Sequence, residues 1–176
     1  YIAMYLLERV QFVTSFSSTF ITSENGYFQG CCKLIQKILI DEFTCHAPLG
    51  YYVINYCIKN DPRAQITMTD CHKQIKALVE DVKQSEYRWA KYIFSEGRKA
   101  VGLNTQLNCD FVDYNIWEPN QLLGFTSEPK PKNPLTFMDN WFDIDSTQVA
   151  QQEADNTNYS KIFVANTLAD DEVLVF

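Results

Sequence analysis

The chain has 176 residues, 46% of them hydrophobic and 14% aromatic, which is enough for one domain with a real core. No apolar run reaches the roughly 18 residues that a membrane span needs. The net charge of −7 is concentrated at the C-terminal end, where the seven acids from Asp143 to Glu172 face the single base Lys161; a near-neutral body with an acidic tail excludes the basic face that a nucleic-acid binder requires.

The N-terminus, Tyr1-Ile2-Ala3-Met4-Tyr5-Leu6-Leu7-Glu8, lacks the basic start and small-residue cleavage site of a signal peptide. It begins without a methionine and inside a helical pattern, so the expectation is a chain cut from something longer. Cys31, Cys32, Cys45, Cys57, Cys71 and Cys109 form no Cys-x-x-Cys pair and lie in apolar segments, which predicts reduced, buried thiols in a cytoplasmic protein.

In chain order, Met4, Tyr5, Phe12, Val13, Phe16 and Phe20 recur at spacings of three and four, predicting a helix over residues 1–21. Glu8 falls on this stripe and so faces the core. Ser23-Glu24-Asn25-Gly26 breaks the pattern. A long helix is then predicted over residues 29–59, ended by Asn60-Asp61-Pro62. Pro48 lies inside it and removes the donor that would answer the carbonyl of Thr44, so local distortion is expected beside His46. A third helix, capped by Thr69 or Asp70, carries Ile75, Leu78, Val79, Val82, Trp89 and Ile93 inward and stops near Gly97. A fourth covers about residues 105–123, with Leu107, Phe111, Tyr114 and Leu122 inward, and Gly124 closes it. The segment from Glu128 to Pro134, with three prolines, reads as a stiff connector, and Asn140-Trp141-Phe142 is expected to dock on the body. The reading is all-α, with a helical body at 1–142 and a flexible acidic tail at 143–176 whose apolar end, Val173-Leu174-Val175-Phe176, suits a partner's groove.

The stretch from Ile35 to His46 carries the chemistry. It is apolar apart from Gln36 and Lys37 until Asp41-Glu42, with His46 one turn later. Desolvating a carboxylate is costly unless it is paired, protonated or bound to a metal. In an α-helix Glu42 and His46 lie about 40° apart around the axis, and Glu8 comes from the facing helix. Carboxylate oxygen with imidazole nitrogen suits iron or manganese, and a Glu on one helix with a Glu/His pair on the next is half of the dinuclear carboxylate site built inside four-helix bundles. Cys45 is the alternative to His46 as ligand. A structural zinc site from Cys45, His46, Cys71 and His72 is a third reading, with pairs adjacent rather than spaced as in zinc motifs.

These residues resemble the C-terminal half of the small, radical-generating subunit of class I ribonucleotide reductase. Leu7-Glu8, Phe12 and Ser15-Phe16 are similar to that family's ligand helix, and Glu42 follows Glu8 by 34 positions, the family's spacing. Ile40-Asp41-Glu42 with a following His, Trp89-Ala90 with Tyr92-Ile93-Phe94, Val101-Gly102-Leu103-Asn104, Asn133-Pro134, Asn140-Trp141 and the run from Gln148 to Glu153 extend the likeness. The resemblance implies a ferritin-like bundle and a dinuclear site of iron, manganese or both, ligated on one side by Glu8, Glu42 and His46. It implies a dry pocket of Phe12, Phe16 and Ile38, a radical route through Asp41, and a relay through Glu153 and Tyr159 to a large catalytic subunit that reduces ribonucleotides. The C-terminal residues would anchor in that subunit.

Two departures bear on this. The family motif is Glu-x-x-His, whereas three residues separate Glu42 from His46; Pro48 permits a bulge that absorbs the extra one. The family's N-terminal half, with the other ligands and the radical tyrosine, has no counterpart here. The expectation is therefore a split subunit working as an obligate complex with a separate N-terminal chain, as a dimer of heterodimers, of a kind suggesting a phage or other mobile-element-rich genome and a host cytoplasm. Another ferritin-like oxidase, or a metal-free scaffold descended from the family, are the competing readings.

Overall fold

The computed structural model describes residues 1–143. The expectations placed on the tail, including Glu153 and Tyr159, lie outside the described residues. Among the described residues the architecture is all-α, with one isolated bridge between Ala100 and Leu103 and no helix long and apolar enough to cross a membrane.

The expected first helix is two. α1 spans Ile2–Val10 and α2 spans Val13–Glu24, separated at Gln11-Phe12, where Phe12 takes φ −144° and ψ 0°. After a left-handed Phe28, the expected long helix is three pieces in line: α3 (Gln29–Asp41), a π-helical turn (Glu42–His46) and α4 (Ala47–Asn60). Asp61 then does more than end a helix. Its carboxylate accepts the Arg63 N–H at 2.9 Å with Pro62 in the first turn, capping a further helix, α5 (Pro62–Asp70), that the apolar pattern does not announce. α6 runs from His72 to Ile93 with Cys71, rather than Thr69 or Asp70, at its N-cap. α7 spans Thr105–Leu122 and is capped by Asn104, whose side chain accepts the Leu107 N–H at 2.9 Å. Gly124, at φ +74°, turns the chain away as expected.

The core is Tyr5, Leu6, Val10, Val13, Phe16, Phe20, Leu39, Phe111, Val112 and Ile116, closed by Leu135 and Met138 from the connector and the start of α8 (Met138–Phe142). α8 docks as anticipated. Trp141 stacks on Phe20 with centroids 4.2 Å apart, Gln36 donates to its carbonyl at 3.1 Å, and Phe142 packs on Phe43.

Several inward assignments are overturned. Met4 is 61% exposed, and Trp89 is 42% exposed, its indole N–H donating to the Ser15 hydroxyl at 2.9 Å. Cys31 and Cys45 are exposed, and only Cys32 and Cys109 are buried. Apolar spacing identifies a face but not what lies against it.

A buried polar network ties α1 to α7. The Arg9 guanidinium donates to Asn115 Oδ1 at 2.8 Å and to Glu118 Oε2 at 3.3 Å, and it sits 4.7 Å above the ring of Phe43. The Tyr5 hydroxyl donates to Glu118 Oε1 at 2.8 Å. Burial, reinforced by Glu118, holds the Tyr5 phenol well above its ordinary pKa, so it remains a donor at any working pH. Replacing Arg9 with alanine strands Asn115 and Glu118, and is expected to lower stability by about 2–3 kcal/mol. R9K, which keeps the charge but not the fork, should fall between R9A and wild type in urea denaturation.

Candidate metal centre

Glu8 reaches the site from α1, and Glu42 and His46 reach it from the two ends of the π turn. Pro48 has no N–H to give the Thr44 carbonyl, so the α register fails at this point. The chain widens instead: the Ala47 N–H bonds the Glu42 carbonyl five residues back, and the Thr44 hydroxyl donates to the Ile40 carbonyl at 2.6 Å. The wider turn takes up one residue more than an α turn, and the Glu42 and His46 side chains meet across it.

His46 Nδ1 lies 2.8 Å from Glu42 Oε2 and 3.8 Å from Glu8 Oε2. The ligand atoms of the three residues all lie within 4.8 Å of one another, the one such His/Cys/Asp/Glu group among the described residues. Cys45 is outside it, exposed, with its Sγ 3.7 Å from the Thr44 hydroxyl. Cys71 and His72 are outside it too, the His72 ring meeting Phe125 edge-on. No zinc-type cluster of Cys45, His46, Cys71 and His72 forms.

The protonation pattern follows from the crowding. A hydrogen bond with Glu42, then burial, then the charge of Glu42 push Glu8 above the usual carboxylate range, against a small opposing pull from His46. Burial works upward on Glu42, yet its hydrogen bonds with Glu8 and His46 carry it below that range. The hydrogen bond to Glu42, aided by the charges of Glu42, Glu8 and Asp41, raises His46. The crowding thus makes Glu8 and His46 hold protons more tightly and Glu42 less tightly than usual, so a cation at this site would compete with protons on Glu8 and His46.

The pocket around this group is open. Phe16 is buried and meets Phe12 edge-on at 6.4 Å, but Phe12 and Ile38 are about half exposed and the His46 side chain is 56% exposed. Asp41 is exposed at the end of α3. The expectation that Glu8 and the Glu42/His46 stretch face a closed core is therefore corrected: they lie on an uncovered apolar face. Met4, Glu8 and Phe12 run along it at intervals of four, as do Leu34, Ile38 and Glu42, and exposed Leu49, Tyr52 and Tyr56 continue it along α4.

Among the buried polar features that the sequence reading misses, two bear on the site. One is the Arg9–Asn115–Glu118 network. The other is Glu86 on α6, which is 5% exposed and accepts the Thr14 N–H at 3.0 Å. Glu86 follows Val82 by four and precedes Trp89 by three, so its place on the apolar stripe is the available signal.

The sequence profile described as "Ribonucleotide reductase, small chain" matches residues 1–128. The chain is 26% identical over 178 residues to the ribonucleoside-diphosphate reductase subunit beta of Buchnera aphidicola subsp. Acyrthosiphon pisum, covering 99% of this chain and 47% of that protein. It is 28% identical to the ribonucleoside-diphosphate reductase 1 subunit beta of Salmonella typhimurium (87% of this chain, 41% of that one), and 28% identical to the subunit beta of Haemophilus influenzae, again covering 87% and 41%. The chain therefore spans somewhat less than half the length of the curated relatives it matches. On the profile match across most of its helices, this chain belongs to the small-chain family of ribonucleotide reductase, and its all-α body is that family's ferritin-like fold.

Proposed function

We propose that this chain supplies one side of a dinuclear metal site in a ribonucleotide reductase small subunit. The observation that carries the reading is the convergence of Glu8, Glu42 and His46, two carboxylates and an imidazole, to within 4.8 Å on an apolar face. The donor set fits iron, manganese or a mixed pair. Glu8 and Glu42 would hold the metal through carboxylate oxygens, and His46 through a ring nitrogen, in preference to Cys45. When bound, such a pair supplies oxygen activation and a one-electron oxidant. This chain's residues would bind it and orient it, with Phe16 as the buried ring of the wall.

The uncovered face points to a partner. The relatives extend over more than twice the matched length, and the exposed run of Met4, Phe12, Ile38, Leu49, Tyr52 and Tyr56 surrounds the ligands. In this reading a separate polypeptide corresponding to the relatives' remaining half covers that face and contributes the opposing ligands, and two such pairs form the assembly. Asp41, exposed beside Glu42, would then meet the partner and carry the radical route. Glu153 and Tyr159 would relay it to a large catalytic subunit, where the ribonucleotide is reduced, and the C-terminal residues would dock there.

Manganese titration of the full chain, followed by the paramagnetic resonance of free Mn²⁺, tests the ligand set. E8A, E42A and H46A are each expected to weaken binding by at least about tenfold, while C45S leaves it unchanged. Wild-type affinity for E8A, or a loss confined to C45S, would remove this reading.

The same titration has a pH sign. Protons on Glu8 and His46 compete with the metal, and both groups are held above their ordinary values, so affinity should climb as pH rises from about 5.5 to 7.5. H46A should flatten that climb.

Deleting Thr44 restores Glu-x-x-His and removes the residue that the π turn absorbs. The deletion variant is expected to keep Mn²⁺ affinity within about threefold, since two different backbones then present the same ligand pair. A loss as large as that of H46A would show that the π turn itself is required.

A further inference from the structure

The break between α1 and α2 sits between the ligand Glu8 and the aromatic wall. Glu8 is on α1, Phe12 is the N-cap of α2, and Phe16 is one turn further. A helix start leaves its first N–H groups without intrahelical partners, and the N-cap side chain normally answers one of them. Phe12 has no oxygen with which to do so. The first α2 bond to its carbonyl comes from Phe16 at 2.8 Å, leaving the N–H groups of Val13, Thr14 and Ser15 to be satisfied from elsewhere.

The answer comes from α6. Glu86 Oε2 accepts the Thr14 N–H at 3.0 Å, 72 residues away in sequence. One turn along α6, the Trp89 indole N–H donates to the Ser15 hydroxyl at 2.9 Å, so two successive residues of the first α2 turn are pinned by two residues on one face of α6. Glu86 is buried, which distinguishes it from the surface acids of α6, and it has no cation partner among the described residues. Burial raises its pKa while the Thr14 hydrogen bonds oppose the rise, and the positive end of the α2 dipole is the compensation the fold offers. Burying an acid with no other support is costly, and the bond to Thr14 is what the fold obtains for that cost.

We infer that Glu86 is a positioning residue that caps α2 from α6, holding the α1–α2 break open and so fixing Glu8 in azimuth relative to the Phe12 and Phe16 rings. Without the cap, α1 and α2 would be free to join into the one continuous helix that their apolar period specifies. The carboxylate on one side of Gln11-Phe12 would then rotate relative to the rings on the other. The role in holding a metal ligand rests on the metal-site reading proposed above; the cap itself does not.

Amide hydrogen exchange and backbone resonances of the full chain test this, comparing wild type with E86A and E86Q. The E86Q side chain keeps an oxygen for the Thr14 N–H, so this variant separates the hydrogen bond from folding. In E86A, exchange at Thr14 and Ser15 is expected to accelerate by about tenfold, and resonances from Glu8 to Phe16 to shift, while α7 amides stay at wild-type protection. E86Q should remain within about threefold of wild type at the same amides. Wild-type exchange and resonances in E86A would overturn the proposal, as would E86Q behaving like E86A. If E86A unfolds globally, E86Q alone decides: wild-type protection at Thr14 supports the cap and accelerated exchange there refutes it. Mn²⁺ added to each variant gives the separate arm. Broadening at Glu8 that weakens in E86A and recovers in E86Q supports the link to the ligand, and equal broadening in all three refutes that link. An absence of broadening in wild type counts against the metal reading and leaves the exchange result standing.

Discussion

Two carboxylates and an imidazole whose ligand atoms lie within 4.8 Å of one another cannot all carry their ordinary charges. Their hydrogen bonds and charges raise the proton affinity of Glu8 and His46 and lower that of Glu42. They are gathered on a face otherwise built from Met4, Phe12, Leu34 and Ile38, where a charged cluster costs more than it would among polar neighbours. The surrounding body holds this cluster in place: the Arg9 network locks α1 to α7 immediately beside Glu8, and the core under Phe16 and Phe20 sets the floor.

The π turn shows how backbone geometry compensates for a changed motif. A ligand pair needs a shared azimuth, not a fixed sequence interval. With three residues between Glu42 and His46 a regular helix would not reproduce the azimuth of the family's Glu-x-x-His pair, and the missing N–H of Pro48 makes a regular helix unfavourable there in any case. Widening the turn resolves both problems at one place. The Thr44 hydroxyl answers the Ile40 carbonyl, and the turn is flanked by intact helix on either side. Phe43, within the turn, packs against Arg9 and Phe142, so the irregular segment is anchored to α1 and α8.

Legibility divides along physical lines. α7 is readable because its cap, its stripe and its terminal glycine agree, and the distortion beside His46 is readable because proline has a local and unconditional effect. α5 is not, since Pro62–Asp70 buries none of its residues and carries no periodic signal; only the Asp61-Pro62 cap marks it. The α1–α2 break is hidden because the apolar period runs through Gln11-Phe12 unbroken, and the group that holds the break lies on α6. Glu8, Glu42 and His46 are legible as a set from spacing and resemblance, whereas their exposure is not. An exposed apolar stripe has the same composition as one covered by its own chain, which is why Met4, Phe12 and Ile38 read as interior.

That ambiguity has an energetic consequence under the proposed reading. If the ligands of one site come from two polypeptides, metal loading and assembly are a single linked equilibrium: a cation that binds only the joined halves stabilises the joint increasingly as its concentration exceeds its dissociation constant. The reciprocal must also hold, so that covering the apolar face tightens the metal, partly by bringing further ligands and partly by removing water from around Glu8 and Glu42. The isolated chain, with its His46 side chain largely solvated, would sit at the weak end of that coupling. Ligands placed at such a seam would keep the oxidising chemistry of the site from arising in an unassembled chain, where Phe12 and Ile38 are open to solvent.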